Sequence, residues 1–187
     1  GNMNLQTLIN AAFLSVIALC QKTLPVDNLA LPGPIIFDHT AFHLIESSKP
    51  IQRYSKQEYL PQGQSITNYS NMILIEYLAE NISPQQAVAA KAQEIAQRKT
   101  TDSIANFAVY SATDPAEYSI DFLMRQGNIV EWNLYRYRTV ANGLALYGLS
   151  IRAYDAELQK FVLNLSSTRT KMIPLFLTSP FPAIHSQ

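Results

Sequence analysis

Residues Tyr118 to Tyr154, with the sequence YSIDFLMRQGNIVEWNLYRYRTVANGLALYGLSIRAY, contain the pattern that decides the fold. Apolar and polar residues alternate through three runs, which is typical of half-buried strands. Gln126-Gly127-Asn128 separates the first two runs. Asn142-Gly143 separates the last two and is a strong signal for a hairpin turn. The stretch therefore predicts three consecutive antiparallel strands.

Four runs outside this stretch also have the composition of strands, and a turn is predicted at Ser47 to Pro50 between the first two. The second of the four has a poor face pattern, which predicts a strand at a sheet edge or one that projects into solvent. The four predicted strands are Ile35 to Glu46, Ile51 to Leu60, Asn71 to Ala79 and Ile104 to Ala112.

Two helices are predicted between and after these strands. Ser83-Pro84-Gln85-Gln86 has the residues of a capping box with proline at the first helical position, and the helix should run to about Lys99. Asp155 should cap a closing helix that Pro174 ends or kinks.

The predicted order is α-βββ-α-ββββ-α. It describes a single α+β domain over residues 1–187, with a mostly antiparallel sheet of six to seven strands covered by helices. Residues 175–187 are predicted to form an extended tail.

The segment from Leu5 to Cys20 allows two interpretations. Its apolar residues recur at helical spacing, which predicts an amphipathic N-terminal helix within residues 1–24. A secretory signal is the alternative, with an apolar region from Ala11 to Leu19 but without the usual basic start. The segment is too short and too interrupted to span a bilayer.

Composition limits the classes of partner. Lys plus Arg and Asp plus Glu number 14 each, so the net charge is zero. This balance argues against nucleic acid or an anionic membrane as a partner that binds through bulk charge. The low charge and the single cysteine suit a bacterial extracytoplasmic protein, so a periplasmic or secreted location is favoured over the cytoplasm.

Residues with catalytic or metal-binding chemistry are few. His39 and His43 lie four apart, but on a strand this spacing separates them by about 13 Å, too far for neighbouring ligands of one metal ion. Cys20 lies in an apolar stripe, where its thiol should be inert. We therefore predict no catalytic residue, no metal site and no cofactor, and we predict that the protein is not an enzyme.

Arginine and tyrosine residues of the Tyr118 to Tyr154 stretch form the strongest candidate site. Both residue types are enriched at binding hot spots. Cross-strand charge pairing on a solvated sheet face is the alternative interpretation. The predicted recognition surface consists of Tyr135, Arg136, Tyr137, Arg138, Tyr147 and Arg152.

The element order resembles that of the PsbP-like family, named after an extrinsic subunit of photosystem II. The matching features are the early hairpin, the Asn71 to Ala79 strand with the Ser83-Pro84 helix after it, the meander from Ile104 and the closing helix. The resemblance covers roughly Ile35 to Ile173. It implies a non-catalytic module that binds a protein or assists assembly.

Two functions follow as hypotheses. The first is a non-enzymatic binding or accessory module that recognises a protein through the Tyr/Arg surface. The second is a carrier of small apolar ligands, with a pocket between sheet and helix lined by residues such as Phe107, Phe122, Trp132 and Phe161.

Overall fold

The computed structural model of the chain describes residues 24–186. Both interpretations of the Leu5 to Cys20 segment therefore concern residues outside the described range. Among residues 24–186, no helix is both long and apolar enough to span a membrane.

Eight strands in the described part of the chain form one antiparallel sheet, which curls into a half-barrel. Their order across the sheet is β1-β2-β3-β4-β8-β7-β6-β5. The prediction of six to seven strands was therefore wrong. The strands are β1 (Ile35–Phe37), β2 (Thr40–Ile51), β3 (Tyr54–Pro61), β4 (Asn71–Leu78), β5 (Asn106–Ser111), β6 (Glu117–Gln126), β7 (Ile129–Val140) and β8 (Gly143–Tyr154).

The additional strand arises at a tight reversal of the chain. Asp38 and His39 have φ angles of 46° and 59°, and Phe37 pairs with Thr40 across them. Aspartate and histidine are among the residues that tolerate this left-handed region best. One predicted strand thus becomes the hairpin of β1 and β2.

The turn predicted at Ser47 to Pro50 was also wrong. β2 continues to Ile51, and its pairing with β3 is irregular between Ser48 and Ile51. Such an irregularity accommodates Pro50, which cannot donate a backbone hydrogen bond.

β3 is an interior strand between β2 and β4, not an edge strand. Several of its polar residues have partners within the protein. Gln57 is fully buried, and its amide nitrogen donates to the Tyr59 hydroxyl at 2.6 Å and to Asp27 at 3.1 Å. Lys56 pairs with Glu58 at 2.9 Å. Buried polar groups need such partners, so the irregular face pattern reflects internal hydrogen bonding.

The sheet consists of two four-stranded meanders joined at β4 and β8. The pairing of β4 with β8, called the β4–β8 joint, is regular. It runs from Asn71, opposite Ile151, to Leu78, opposite Leu144. Gly143 begins β8 beside it, and a Cβ atom there would overlap the Leu78 carbonyl. Glycine is therefore required where the predicted hairpin turn meets the neighbouring strand.

Helix α1 (Pro84–Arg98) packs against β5, β6 and β7. Its predicted capping box is confirmed, since Ser83 accepts from the Gln86 amide at 3.0 Å and Gln86 accepts from the Ser83 amide at 2.9 Å. The small residues Ala87 and Val88 are buried, which lets the helix lie close to the sheet.

The opposite face carries the C-terminal helices α2 (Leu158–Leu163) and α3 (Leu165–Leu177). The prediction of one closing helix capped by Asp155 was wrong. Asp155 has a φ angle of 47° and begins a short 3₁₀ turn in which no side chain caps the helix. α3 includes Pro174, so the predicted tail at 175–187 begins later than expected.

Phe176 near the end of α3 is fully buried in the larger of the two main cores. Its ring lies 5.2 Å from that of Phe37 and 4.5 Å from that of Tyr147. These aromatic contacts hold the end of α3 against the sheet, next to the site described below.

Candidate binding cleft

The six residues of the predicted recognition surface lie on both faces of the sheet. Successive side chains of a strand point in opposite directions, so Arg136 and Tyr137 cannot share a face. The face of the sheet covered by α1, called the α1 face, carries the side chains of Tyr135, Tyr137 and Arg152. The face covered by α3, called the α3 face, carries those of Arg136, Arg138 and Tyr147. The six predicted residues therefore form two groups of three on opposite faces of the sheet.

The set on the α1 face is enclosed by the protein. Tyr135 and Tyr137 are buried, and burial raises the pKa of both phenols well above the usual value. Arg152 donates to Glu131 at 2.6 Å and lies over the Tyr69 ring at 4.3 Å. Burial lowers the pKa of Arg152, but the charges of Glu131 and Tyr69 and hydrogen bonds to Glu131 and Tyr154 together raise that pKa overall. These residues serve internal packing and charge pairing.

Arg136 on the α3 face is 3% exposed and bonded on several sides. Its Nε donates to Glu117 at 2.7 Å. One Nη donates to the backbone oxygens of Phe176 at 2.9 Å and Ser179 at 2.8 Å. The guanidinium also lies 5.5 Å from the centre of the Tyr147 ring. Arg136 thus ties the end of α3 to β6 and β7.

Arg138, two residues further along β7, lies at the surface of the same face. Its side chain is 34% exposed and pairs with Asp114 at 3.2 Å. The guanidinium lies 5.3 Å from the centre of the Phe181 ring, a cation–π geometry. Arg138 is thus the member of its set that is both charged and accessible.

Arg138 lines a cleft of about 470 Å³ between the ends of β5, β6 and β7 and the residues that follow α3. We call this the Arg138 cleft. Its lining is rich in hydroxyl and charged side chains beside the aromatic rings of Tyr110 and Phe181. The lining includes Tyr110, Ser111, Asp114, Arg138, Thr178 and Phe181.

Asp121 organises the wall beside this cleft. The buried carboxylate accepts from the Tyr110 hydroxyl at 2.6 Å, from Trp132 Nε1 at 2.8 Å and from Arg169 Nε at 2.7 Å. Hydrogen bonding to Asp121 raises the pKa of Arg169, and burial together with Asp121 raises that of Tyr110. Arg169 was not predicted as a site residue, because it lies 48 residues from Asp121 and on a different kind of element.

The α1 face contains a second group of charges around Glu76 on β4. Glu76 lies opposite Lys56 of β3. Burial raises the pKa of Glu76 above its usual 4.5, although Lys56 favours the charged form. Keeping this carboxylate ionised therefore opposes folding.

Replacing Glu76 with glutamine should stabilise the protein increasingly as the pH rises. Below pH 4.5 the carboxyl is protonated in both states and contributes no difference. Between the unfolded and the higher folded pKa, wild type loses about 1.4 kcal/mol of stability for each unit by which the pH rises. Urea unfolding at about pH 4 and about pH 7 measures this difference. Glu80→Gln, at a surface pair with Arg53, is the control. A Glu76→Gln effect that is the same at both pH values would contradict the assignment.

Among residues 24–186, no three His, Cys, Asp or Glu side chains are grouped closely enough to hold a metal ion. His39 lies in the reversal between β1 and β2, and His43 lies on β2. Cys20 lies outside the described residues.

The aromatic residues proposed to line an apolar pocket do not meet around one space. Phe122 belongs to the core under α1, whereas Trp132 belongs to the core under α3. Both are almost fully buried and lie on opposite faces of the sheet. Phe107 packs with the first core and Phe161 with the second.

Comparison with curated proteins finds no match to this chain. One family model matches residues 29–181, a range that includes all eight strands, the three α-helices and the Arg138 cleft as far as Phe181. The chain therefore belongs to the uncharacterised protein family that this model describes.

Proposed function

We propose that the protein is a non-enzymatic binding module that recognises a protein partner through the Arg138 cleft. The observation that carries the proposal is the partly exposed side chain of Arg138, whose guanidinium lies 5.3 Å from the centre of the Phe181 ring within a cleft of about 470 Å³. Arginine and aromatic residues in pockets are typical of binding hot spots. The resemblance to the PsbP-like family implies the same class of function.

The cleft lining carries two acidic residues, Asp114 and Glu117, and two basic ones, and it is the partly exposed Arg138 that favours an anionic group on the partner. Arg136 donates hydrogen bonds to Glu117 and to backbone oxygens, so its charge is compensated within the protein. Arg138 pairs with Asp114, whose side chain is 48% exposed. An exposed ion pair of this kind contributes about 0–1 kcal/mol, so a carboxylate of the partner can replace Asp114 at low cost.

The geometry of arginine suits this exchange. A planar guanidinium donates two parallel hydrogen bonds to a carboxylate, and the nearby Phe181 ring attracts the cation of Arg138. Hydroxyl groups of Ser111 and Thr178 in the lining supply further donors and acceptors. The cleft therefore fits an aspartate or glutamate side chain, or a chain terminus.

Replacing Arg138 with glutamine should weaken the binding of acidic peptides about tenfold or more, because a charge-assisted pair is lost. The probes are fluorescent synthetic peptides that contain one glutamate, and fluorescence anisotropy measures their affinity. Matched peptides with glutamine in its place should bind wild type as weakly as the acidic peptides bind the variant.

Arg125→Gln is the matched control for this experiment. Arg125 is an exposed arginine of β6 that lies outside the cleft lining and donates to the Gly127 backbone oxygen. Its replacement should leave peptide affinity unchanged. Equal losses in the two variants, or equal binding of the glutamate and glutamine peptides by wild type, would exclude the Arg138 cleft as the recognition site.

A further inference from the structure

Strand β5 (Asn106–Ser111) forms one edge of the sheet, and among residues 24–186 it pairs with β6 alone. In an antiparallel pair, every second residue of a strand directs its N–H and C=O groups away from the partner. These outward groups on β5 can accept another extended chain.

β5 lacks the features that normally protect an edge strand. Its sequence NFAVYS contains neither a charged residue nor a proline, and its pairing with β6 is unbroken. Val109 in its middle is 41% exposed. Charged residues, prolines and bulges are the usual devices that block edge pairing.

The other edge of the sheet differs in length. β1 (Ile35–Phe37) has three residues, although Ile36 is 65% exposed. Very short edge strands offer few hydrogen bonds and resist pairing with other chains. Strand addition is therefore favoured at β5 and disfavoured at β1.

The free edge of β5 leads directly into the Arg138 cleft. Tyr110 and Ser111 at the end of β5 line the cleft together with Arg138. One end of a chain that lies along β5 is therefore beside the cleft, and β6 lies between β5 and the strand that carries Arg138. The occupant needs an extended backbone for the edge and an anionic group for the cleft.

We propose that β5 takes an extended segment of a protein partner as a ninth strand, with an acidic side chain of that segment in the Arg138 cleft. The inference rests on the proposed function and names its binding mode, β-strand addition. Backbone hydrogen bonds along β5 supply affinity, and the cleft supplies selectivity for the acidic residue.

A second copy of this chain fits the site less well. β5 is uncharged, so pairing of two β5 strands brings no acidic residue of the strand to Arg138. In an antiparallel arrangement, the neutral Asn106 end of one β5 would lie towards the cleft of the other copy. The exposed side chain of Arg138 therefore favours a different, acidic segment.

N-methylated peptides test strand addition separately from charge recognition. The probes are six-residue peptides of alternating valine and threonine with one glutamate, its position chosen by affinity for wild type. One derivative carries N-methyl groups on the odd residues and the other on the even residues. An added strand bonds through every second residue. One derivative should therefore lose about tenfold or more in affinity, and the other should change less than about threefold.

Amide hydrogen exchange locates the bound peptide. The unmethylated peptide should slow exchange at residues 106–111 and leave residues 35–37 of β1 unchanged. Equal affinities of the two N-methyl derivatives, or protection at β1 instead of β5, would overturn strand addition. Such results would leave the proposed function standing as long as Arg138→Gln still weakens binding.

Sedimentation of the protein without peptide tests the alternative occupant. A monomer is expected. A dimer in which the amides of residues 106–111 are already protected would show that a second copy occupies the edge, and this would also overturn the inference.

Discussion

Replacing Arg136 with methionine should lower the free energy of unfolding by about 3–5 kcal/mol. The substitution leaves the buried carboxylate of Glu117 without its 2.7 Å partner. It also removes the donors to the backbone oxygens of Phe176 and Ser179 at the end of α3. An uncompensated buried charge and unsatisfied carbonyl groups are among the most costly defects in a folded protein.

Urea unfolding followed by the fluorescence of Trp132, the single tryptophan, measures the Arg136→Met effect. Arg138→Met is the matched control, because Arg138 lies two residues away on the same face but is 34% exposed. The control should cost less than about 1 kcal/mol. Adding Glu117→Gln to the Arg136 variant should restore part of the lost stability, since it removes a buried charge whose remaining partner, Arg138, is 3.8 Å away. Similar losses for the two single variants would contradict the role assigned to Arg136.

Replacing Asp121 with alanine should also cost about 3–5 kcal/mol of unfolding free energy. The carboxylate is 3% exposed and accepts hydrogen bonds from Tyr110, Trp132 and Arg169. Its loss leaves the buried indole N–H of Trp132 unsatisfied and releases α3 from its anchor on β6. Both effects follow from one substitution because Asp121 links the sheet to the helix.

Chemical unfolding and the emission wavelength of Trp132 report the Asp121→Ala effect together. The native emission should shift to longer wavelength as water reaches the indole nitrogen. Asp114→Ala, which removes an exposed aspartate paired with Arg138, should leave the emission unchanged and cost less than about 1 kcal/mol. An Asp121 variant as stable as the Asp114 variant would show that the network contributes little to folding.

Local sequence signals predicted several elements correctly. Ser83 and Gln86 lie three residues apart, so the capping box that starts α1 depends on neighbours alone. The hairpin at Asn142-Gly143 is also formed by adjacent residues, and it joins β7 to β8 as predicted. The positive φ angles at Asp38 and His39 gave no comparable signal, and the β1–β2 hairpin was missed.

The site was predictable only in part. Alternation along β7 separates Arg136 and Arg138 from Tyr135 and Tyr137, and this could have been derived from the sequence. The burial of Arg136 and the exposure of Arg138 could not have been derived from the sequence. They arise because α3 and the residues after it cover Arg136 and leave Arg138 accessible. Phe181 joins the cleft from a distant part of the chain, so its role depends on tertiary packing.

The joint between β4 and β8 has a consequence for the order of folding. Within each meander, paired strands are neighbours in the sequence, so their contacts close short loops. Pairing Leu78 with Leu144 must instead enclose α1 and strands β5 to β7 in one long loop. Distant contacts of this kind slow folding. We therefore expect the two meanders to form early and the β4–β8 joint to set the folding rate of the whole sheet.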